Sequence, residues 1–161
     1  MVEEEKTITL TVNGKKKQVK VKPNERLIDL LRFKLKLMSV KAGCLTGECG
    51  TCTVLYNGEP VKSCMILAAE ADGAEIYTVE GLSKKKGFDK IIETFAKHNA
   101  FQCGFCTPGF AILTYWLATR KKQLSDDEIK EAMNSILCRC TGYQQIFEAV
   151  KEAISVYRSS S

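Results

Sequence analysis

Alternating apolar and polar positions open the chain. Every second residue from Ile8 to Val12 is apolar, with threonines between them, which is the period of a half-buried strand. Asn13-Gly14 follows and predicts a tight hairpin, because both positions tolerate positive φ. The same pattern around Asn57-Gly58 predicts a second hairpin, and a further strand is expected over about residues 74–79.

Helical periodicity appears first after Pro23-Asn24. There the spacing predicts a helix with these residues on one face: Leu27, Leu30, Leu31, Leu35 and Met38. From Phe88 onward the pattern is helical throughout, and four helices are predicted. The first covers residues 88–98 and the fourth residues 143–157. The second is capped by Thr107, with Pro108 at its first helical position, and the third begins at the capping box of Ser125 and Glu128.

These elements predict an α+β protein with two domains. Two hairpins and one crossing helix form a sheet domain over residues 1–83, and the four helices form a bundle over residues 84–161. The third of these helices is expected to carry an apolar stripe of Ile129, Met133, Ile136 and Leu137.

Composition excludes several classes of site. The 161 residues include eight cysteines and one histidine, His98. One imidazole cannot complete a Rieske centre, a two-His zinc finger or a two-His iron site. The chain also lacks the nucleophile elbow and both Gly-rich nucleotide motifs, so no catalytic residue and no substrate site are assigned to it. A net charge of +5 is well below the concentrated charge expected of a nucleic-acid binder.

Targeting signals are also missing from the sequence. The start, Met1-Val2-Glu3-Glu4-Glu5, is acidic where a secretory signal needs basic residues. The longest nearly apolar run, Phe110 to Ala118, is shorter than the roughly 20 residues of a membrane span. We therefore expect a cytoplasmic protein, in which eight thiols indicate metal binding before disulfides, although a disulfide scaffold remains an alternative.

The cysteines divide into two sets of four. The first set follows the spacing C-x4-C-x2-C with a fourth cysteine eleven residues later: Cys44, Cys49, Cys52 and Cys64. This is the plant-type arrangement for a 2Fe–2S cluster. Gly43, Gly47 and Gly50 permit the tight turns that aim backbone N–H groups at an anionic cluster.

The second set combines C-x2-C with C-x-C: Cys103, Cys106, Cys138 and Cys140. Both pairs precede predicted helix starts, which favour negative charge and therefore thiolates. A second cluster is the preferred interpretation, and a four-Cys zinc site is the alternative for either set. A thioredoxin-like pair at Cys103 and Cys106 is disfavoured, because no βαβ pattern surrounds it.

Three stretches carry a resemblance to a known family: GCLTGECGTCT at 43–53, QCGFCTPG at 102–109 and CRCTGY at 138–143. They resemble the iron–sulfur subunit of molybdenum hydroxylases, the family of xanthine oxidase, aldehyde oxidoreductases and aerobic carbon monoxide dehydrogenases. All eight cysteines match. The resemblance implies a plant-ferredoxin-like β-grasp domain holding the first cluster and a four-helix bundle holding the second.

The resemblance also implies partners. A large subunit would carry molybdopterin and a medium subunit FAD, in a heterotrimer or a dimer of heterotrimers, with Gln102 and Cys140 against the pterin. Electrons would pass from molybdenum through the second cluster to the first and then to the flavin or another acceptor. We expect an electron-transfer subunit of such an oxidoreductase. A structural zinc module and a free-standing two-cluster ferredoxin are the rivals.

Overall fold

A five-stranded mixed sheet forms the first part of the chain, in a computed structural model that describes residues 4–120 and 123–160. The strands are β1 (Lys6–Val12), β2 (Lys15–Val21), β3 (Thr53–Tyr56), β4 (Glu59–Lys62) and β5 (Glu75–Tyr77). Their order is β2-β1-β5-β3-β4, with β1 and β5 parallel and the other pairs antiparallel. Most residues of the edge strand β2 are lysines. Their charges discourage pairing of this edge with a second sheet.

Six α-helices accompany the sheet among the described residues. They are α1 (Leu27–Asp29), α2 (Val79–Leu82), α3 (Phe88–Lys97), α4 (Thr107–Thr119), α5 (Asp126–Met133) and α6 (Gln144–Ser160). Helix α1 continues as a π-helical turn over Leu30–Lys34, and 3-10 turns cover Ser63–Met65 and Ala68–Ala71. The α+β class predicted from the sequence is confirmed.

Apolar side chains gather in two clusters. One lies between the sheet and α1 and includes the alternating Ile8, Leu10 and Val12 of β1. The other lies among the later helices, where α6 packs against α3, α4 and α5. Helix α4 also packs against β3 and β4, so it joins the helices to the sheet.

The two predicted Asn-Gly turns and the predicted capping box at Ser125 are confirmed. Both Asn-Gly pairs turn with positive φ at each residue: 53° and 75° at Asn13 and Gly14, 50° and 87° at Asn57 and Gly58. The Ser125 side chain accepts a hydrogen bond from the Glu128 N–H, and the Glu128 carboxylate accepts one from the Ser125 N–H. This reciprocal pair satisfies two backbone donors at the start of α5.

The first predicted helix is wrong in its second half. Helical structure ends at Lys34, Lys36 has a φ of 59°, and Met38 is 48% exposed instead of lying on the buried face. The Arg32 guanidinium donates to the Val40 carbonyl, and the Leu37 N–H donates to the Leu31 carbonyl. These contacts fold the chain back, so tertiary structure overrides the leucine periodicity.

The boundaries of three helices also differ from the prediction. Helix α6 covers Gln144–Ser160 instead of residues 143–157, and Tyr143 before it has a left-handed φ of 67°. Helix α5 ends at Met133, so Ile136 and Leu137 lie beyond it, and Leu137 is 55% exposed. The cap of α4 is Cys106, and Thr107 is the first helical residue.

No described helix is both long enough and apolar enough to cross a membrane. Met1–Glu3 of the acidic start lie outside the described residues.

Candidate metal centres

The first set of cysteines lies on one loop and one turn beside the sheet. Cys44 and Cys49 lie on the loop that leads into β3, and Cys52 directly precedes that strand. Cys64 lies in the 3-10 turn after β4. Since β3 and β4 are paired, the hairpin carries Cys64 back to Cys52, and both of these thiols are buried.

Backbone N–H groups point at the sulfurs of the loop. The Cys49 N–H donates to Cys44 Sγ at 3.3 Å, and the Cys44 N–H donates to Cys49 Sγ at 3.3 Å. The Thr46 N–H also donates to Cys44 Sγ, at 3.4 Å. The bond from Cys49, with those from Thr46, lowers the pKa of Cys44 to about 5, so this sulfur is held as a thiolate at neutral pH.

Cys52 and Cys64 form the second pair of the first set. The Ser63 hydroxyl donates to the Cys52 carbonyl at 2.7 Å, which ties the turn to the strand. Burial raises the pKa of Cys52 to about 11, and the Cys64 thiol contributes to the rise. A metal bound here must displace that proton.

The second set lies at the starts of two helices. Cys103 and Cys106 precede α4, and Cys138 and Cys140 lie between α5 and α6. The Cys140 thiol donates to Cys103 Sγ at 3.4 Å. Cys106 lies beside Cys138. Burial raises the pKa of the Cys106 thiol to about 12, and the nearby Cys138 sulfur makes the second largest contribution to the rise.

Part of the second set is exposed. Cys103 and Cys140 lie at the surface, whereas Cys106 is buried. Gln102 is exposed beside them, and its side-chain amide donates to the Cys140 carbonyl at 3.2 Å. The structure thus brings together Gln102 and Cys140, the two residues for which the family resemblance implies a pterin contact.

The two cysteine loops touch each other. The Leu137 N–H donates to the Cys49 carbonyl at 2.9 Å, and Leu137 directly precedes Cys138. Gly50 makes this approach possible, because a Cβ there would lie 2.1 Å from the Ser135 carbonyl oxygen. This hydrogen bond therefore links Cys49 of the first set to Leu137, the residue directly before Cys138 of the second set.

The donor set fits 2Fe–2S clusters. All eight cysteines are free thiols, and they meet in pairs, as two irons with two protein ligands each require. Within residues 4–120 and 123–160, no three Cys, His, Asp or Glu side chains converge closely enough for a single metal ion. The Thr107 hydroxyl oxygen, next to Cys106, is buried with no hydrogen-bond partner among the described residues, and a sulfur acceptor would satisfy it.

Several residues of these centres were missed by the sequence reasoning. They are the orphan Thr107 hydroxyl, the Leu137 amide, and Thr141 and Tyr143, which surround Cys138 through hydrogen bonds. Only their position within two or three residues of a cysteine could have indicated them.

Comparison with known proteins gives matches along nearly the whole chain. Residues 10–81 match the family of the 2Fe–2S iron–sulfur cluster binding domain, and residues 78–151 match the family of the [2Fe–2S] binding domain. The nicotinate dehydrogenase small FeS subunit of Eubacterium barkeri is 44% identical over 148 residues, which are 92% of this chain and 94% of that protein. The xanthine dehydrogenase iron–sulfur-binding subunit of Escherichia coli O157:H7 is 45% identical over 146 residues, 89% of this chain and 91% of that protein.

Solved structures agree with these sequence matches. A chain of quinoline 2-oxidoreductase from Pseudomonas putida 86 superposes with a TM-score of 0.87 at 38% identity, covering 98% of this chain and 99% of that one. Aldehyde oxidoreductase from Desulfovibrio desulfuricans ATCC 27774 gives a TM-score of 0.87 at 36% identity, covering 97% of this chain and 18% of that longer one. The chain therefore belongs to the family of small iron–sulfur subunits of molybdenum hydroxylases, with two 2Fe–2S-binding domains and an electron-transfer role in an oxidoreductase complex.

Proposed function

We propose that the eight cysteines are the ligands of two 2Fe–2S clusters. Cys44, Cys49, Cys52 and Cys64 hold one cluster, and Cys103, Cys106, Cys138 and Cys140 hold the other. When bound, each cluster supplies a centre that takes up and releases one electron. The close sulfur pairs support this assignment, with Cys44 beside Cys49, Cys52 beside Cys64, Cys103 beside Cys140 and Cys106 beside Cys138.

The observation that carries an electron-transfer role is the contact of the two loops. Cys49 accepts a 2.9 Å hydrogen bond from the Leu137 N–H, and the peptide bond after Leu137 leads to Cys138. The chain itself thus supplies a short connection between the two ligand sets. Gly50 keeps that connection short, since its missing side chain lets the backbone at Ser135 approach.

The proposal includes two partner subunits. Gln102 and Cys140 would lie against the molybdopterin of a large subunit, and a medium FAD-binding subunit would receive the electrons, in a heterotrimer or a dimer of heterotrimers. The exposure of Gln102, Cys103 and Cys140 supports contact with a partner at the second set. Relatives named as small, gamma and beta subunits support a multi-subunit assembly.

We further propose a division into two domains at residues 1–83 and 84–161, with a cytoplasmic location. The two apolar clusters support the division, since the first contains only residues before Leu82 and the second is formed mainly by the later helices, with Leu55 and Leu82 packed into it. The sheet order β2-β1-β5-β3-β4 supports a β-grasp first domain, and the packing of α6 on α3, α4 and α5 supports a four-helix bundle in the second. Eight free thiols suit a reducing compartment.

Metal analysis and cysteine variants test the ligand assignment. Protein purified without oxygen should contain about four iron and about four acid-labile sulfide per chain. Cys49→Ser should remove the signal of one reduced cluster from the EPR spectrum and Cys138→Ser that of the other. Leu45→Ser, at an exposed position in the same loop as Cys49, is the control that keeps both signals. Zinc without iron or sulfide, or loss of both signals in a folded variant, would overturn the assignment.

Gln102→Ala tests the contact with the large subunit. Both EPR signals should persist, while single-turnover reduction of the clusters by substrate slows in the assembled enzyme. Gln145→Ala, exposed in α6, is the control. An unchanged rate in Gln102→Ala would remove Gln102 from the proposed contact.

A further inference from the structure

Cys138, Thr141 and Tyr143 form a closed ring of three hydrogen bonds. The Cys138 N–H donates to the Tyr143 hydroxyl oxygen at 2.7 Å. The Tyr143 N–H donates to Thr141 Oγ1 at 3.3 Å. The Thr141 hydroxyl donates to Cys138 Sγ at 3.2 Å. The ring therefore starts and ends at one cysteine of the second set.

The ring fixes the direction of the Thr141 hydroxyl. A threonine hydroxyl has one proton and can accept through its oxygen. Because that oxygen accepts the Tyr143 N–H, its proton is directed away from Tyr143 and toward the Cys138 sulfur. A thiolate at Cys138 has no proton and can only accept this bond.

Tyr143 adopts an unfavourable backbone conformation within the ring. Its φ is 67°, in the left-handed region that bulky residues rarely occupy. That conformation accompanies the bond from its N–H to Thr141, and its hydroxyl anchors the Cys138 amide. Tyr143 thus positions both ends of the segment that contains Thr141.

The first set contains a threonine with the opposite arrangement. Thr51 Oγ1 lies 3.2 Å from Cys49 Sγ, but its hydroxyl donates to the Lys41 carbonyl at 3.2 Å. Since Thr51 also has one proton, a thiolate at Cys49 competes with that carbonyl for it. Thr51 is therefore the matched comparison for Thr141.

We infer that Thr141, oriented by Tyr143, raises the reduction potential of the cluster held by the second set, an inference that rests on the proposed function. Reduction adds one electron, supplied by the partner's redox centre, and increases the negative charge on the sulfurs. A hydrogen bond from Thr141 to Cys138 Sγ stabilises that charge, and hydrogen bonds to sulfur are among the determinants of cluster potential.

A redox titration followed by EPR tests the inference. The two signals are first assigned with the Cys49→Ser and Cys138→Ser variants. In Thr141→Val, the second-set cluster should become about tenfold harder to reduce, a decrease of about 59 mV for a one-electron couple. The first-set potential should stay unchanged. Thr141→Ser, which keeps the hydroxyl, should restore the wild-type potential, and Thr51→Val should shift the first-set potential by much less.

The outcomes separate this inference from the proposed function. Wild-type protein without iron and sulfide would contradict the proposed function. Clusters present at full iron content in Thr141→Val, with an unchanged second-set potential, would overturn the inference alone. An equal shift in Thr51→Val would also overturn it, because the direction of the hydroxyl would then have no effect. If the valine variant loses the second-set signal, Thr141→Ala decides the question in the same titration.

Discussion

Gly50 is the residue whose substitution tests the contact of the two cysteine loops. It has a φ of +67°, and a Cβ there would lie 2.1 Å from the Ser135 carbonyl oxygen and 3.0 Å from Ile136 Cα. Both atoms belong to the backbone, so no side-chain rotation can relieve the clash. Gly50→Ala must therefore displace the segment before Cys138 or distort the loop that carries Cys49.

Three costs determine the size of the effect. A left-handed residue with a side chain costs about 1 to 2 kcal/mol. Forcing a methyl group into a packed site costs about 1 to 3 kcal/mol. Separation of the loops also breaks the hydrogen bond from Leu137 to Cys49, worth about 0.5 to 1.5 kcal/mol. We expect Gly50→Ala to lower the free energy of unfolding by about 3 to 6 kcal/mol in total.

Gly58→Ala isolates the backbone cost. Gly58 has a φ of +87°, and a Cβ there would meet nothing within 4 Å. This control should lose only about 1 to 2 kcal/mol. Urea unfolding of cluster-loaded protein, followed by far-UV circular dichroism and by visible absorption, compares the two variants. Equal losses would refute the reasoning, since they would mean that the segment at Ser135 moves away from Gly50 without cost.

Two further substitutions give smaller expected effects. The Glu80 carboxylate accepts hydrogen bonds from the Ser39 N–H, the Ser39 hydroxyl and the Thr78 hydroxyl, and these outweigh burial and lower its pKa. Its stabilising effect should therefore be present above about pH 4.5 and disappear as pH falls through the lowered pKa. Glu80→Gln should lower the melting temperature at pH 7. The melting temperature of this variant should also fall less on acidification than that of the wild-type protein. Gly109→Ala places a Cβ 3.1 Å from the Gly50 carbonyl oxygen, at a helical position without a left-handed φ. The gain in helix propensity offsets this close contact, so the free energy of unfolding measured in urea should change by less than about 1 kcal/mol.

Local chemistry explains which parts of the fold were predictable. The Asn-Gly turns and the Ser125 capping box depend on residues within one turn of each other, and all three form as predicted. The alternation from Ile8 to Val12 directly reports a strand with one buried face. Each of these signals is complete within a short segment of sequence, so no distant contact was needed to interpret it.

The wrong predictions lie where distant contacts decide. Periodicity extended the third predicted helix to Leu137, whereas the helix ends at Met133. Ile136 is buried, but beside Gly50 and Gly109, and the Leu137 N–H bonds to Cys49 in place of a helical carbonyl. A pattern of apolar residues indicates burial but does not identify the contacting residue. Here Gly50 lies 86 residues before Ile136, and Cys49 lies 88 residues before Leu137.

Cysteine spacing could group the candidate ligands, because sequential thiols on one loop must lie near each other. Spacing could not reveal which sulfurs receive hydrogen bonds. That property depends on the left-handed Tyr143 and on which acceptor takes each threonine proton. Thr51 lies two residues after Cys49 and Thr141 three residues after Cys138. Of these two threonines, Thr141 is the one whose oxygen accepts a backbone N–H, and this turns its proton toward sulfur.

Electron transfer explains why these two features coincide near Cys138. A subunit that passes electrons between two centres needs them close and needs their potentials ordered. The contact of Leu137 with Cys49 serves the first need through the backbone. The ring of Cys138, Thr141 and Tyr143 bears on the second need through one hydroxyl proton, because a higher second-set potential favours uptake of the electron from the partner. Because Cys138 follows Leu137 directly, a displacement at Gly50 should reach the ring, and Gly50→Ala should therefore alter the second-set potential more than Gly58→Ala does.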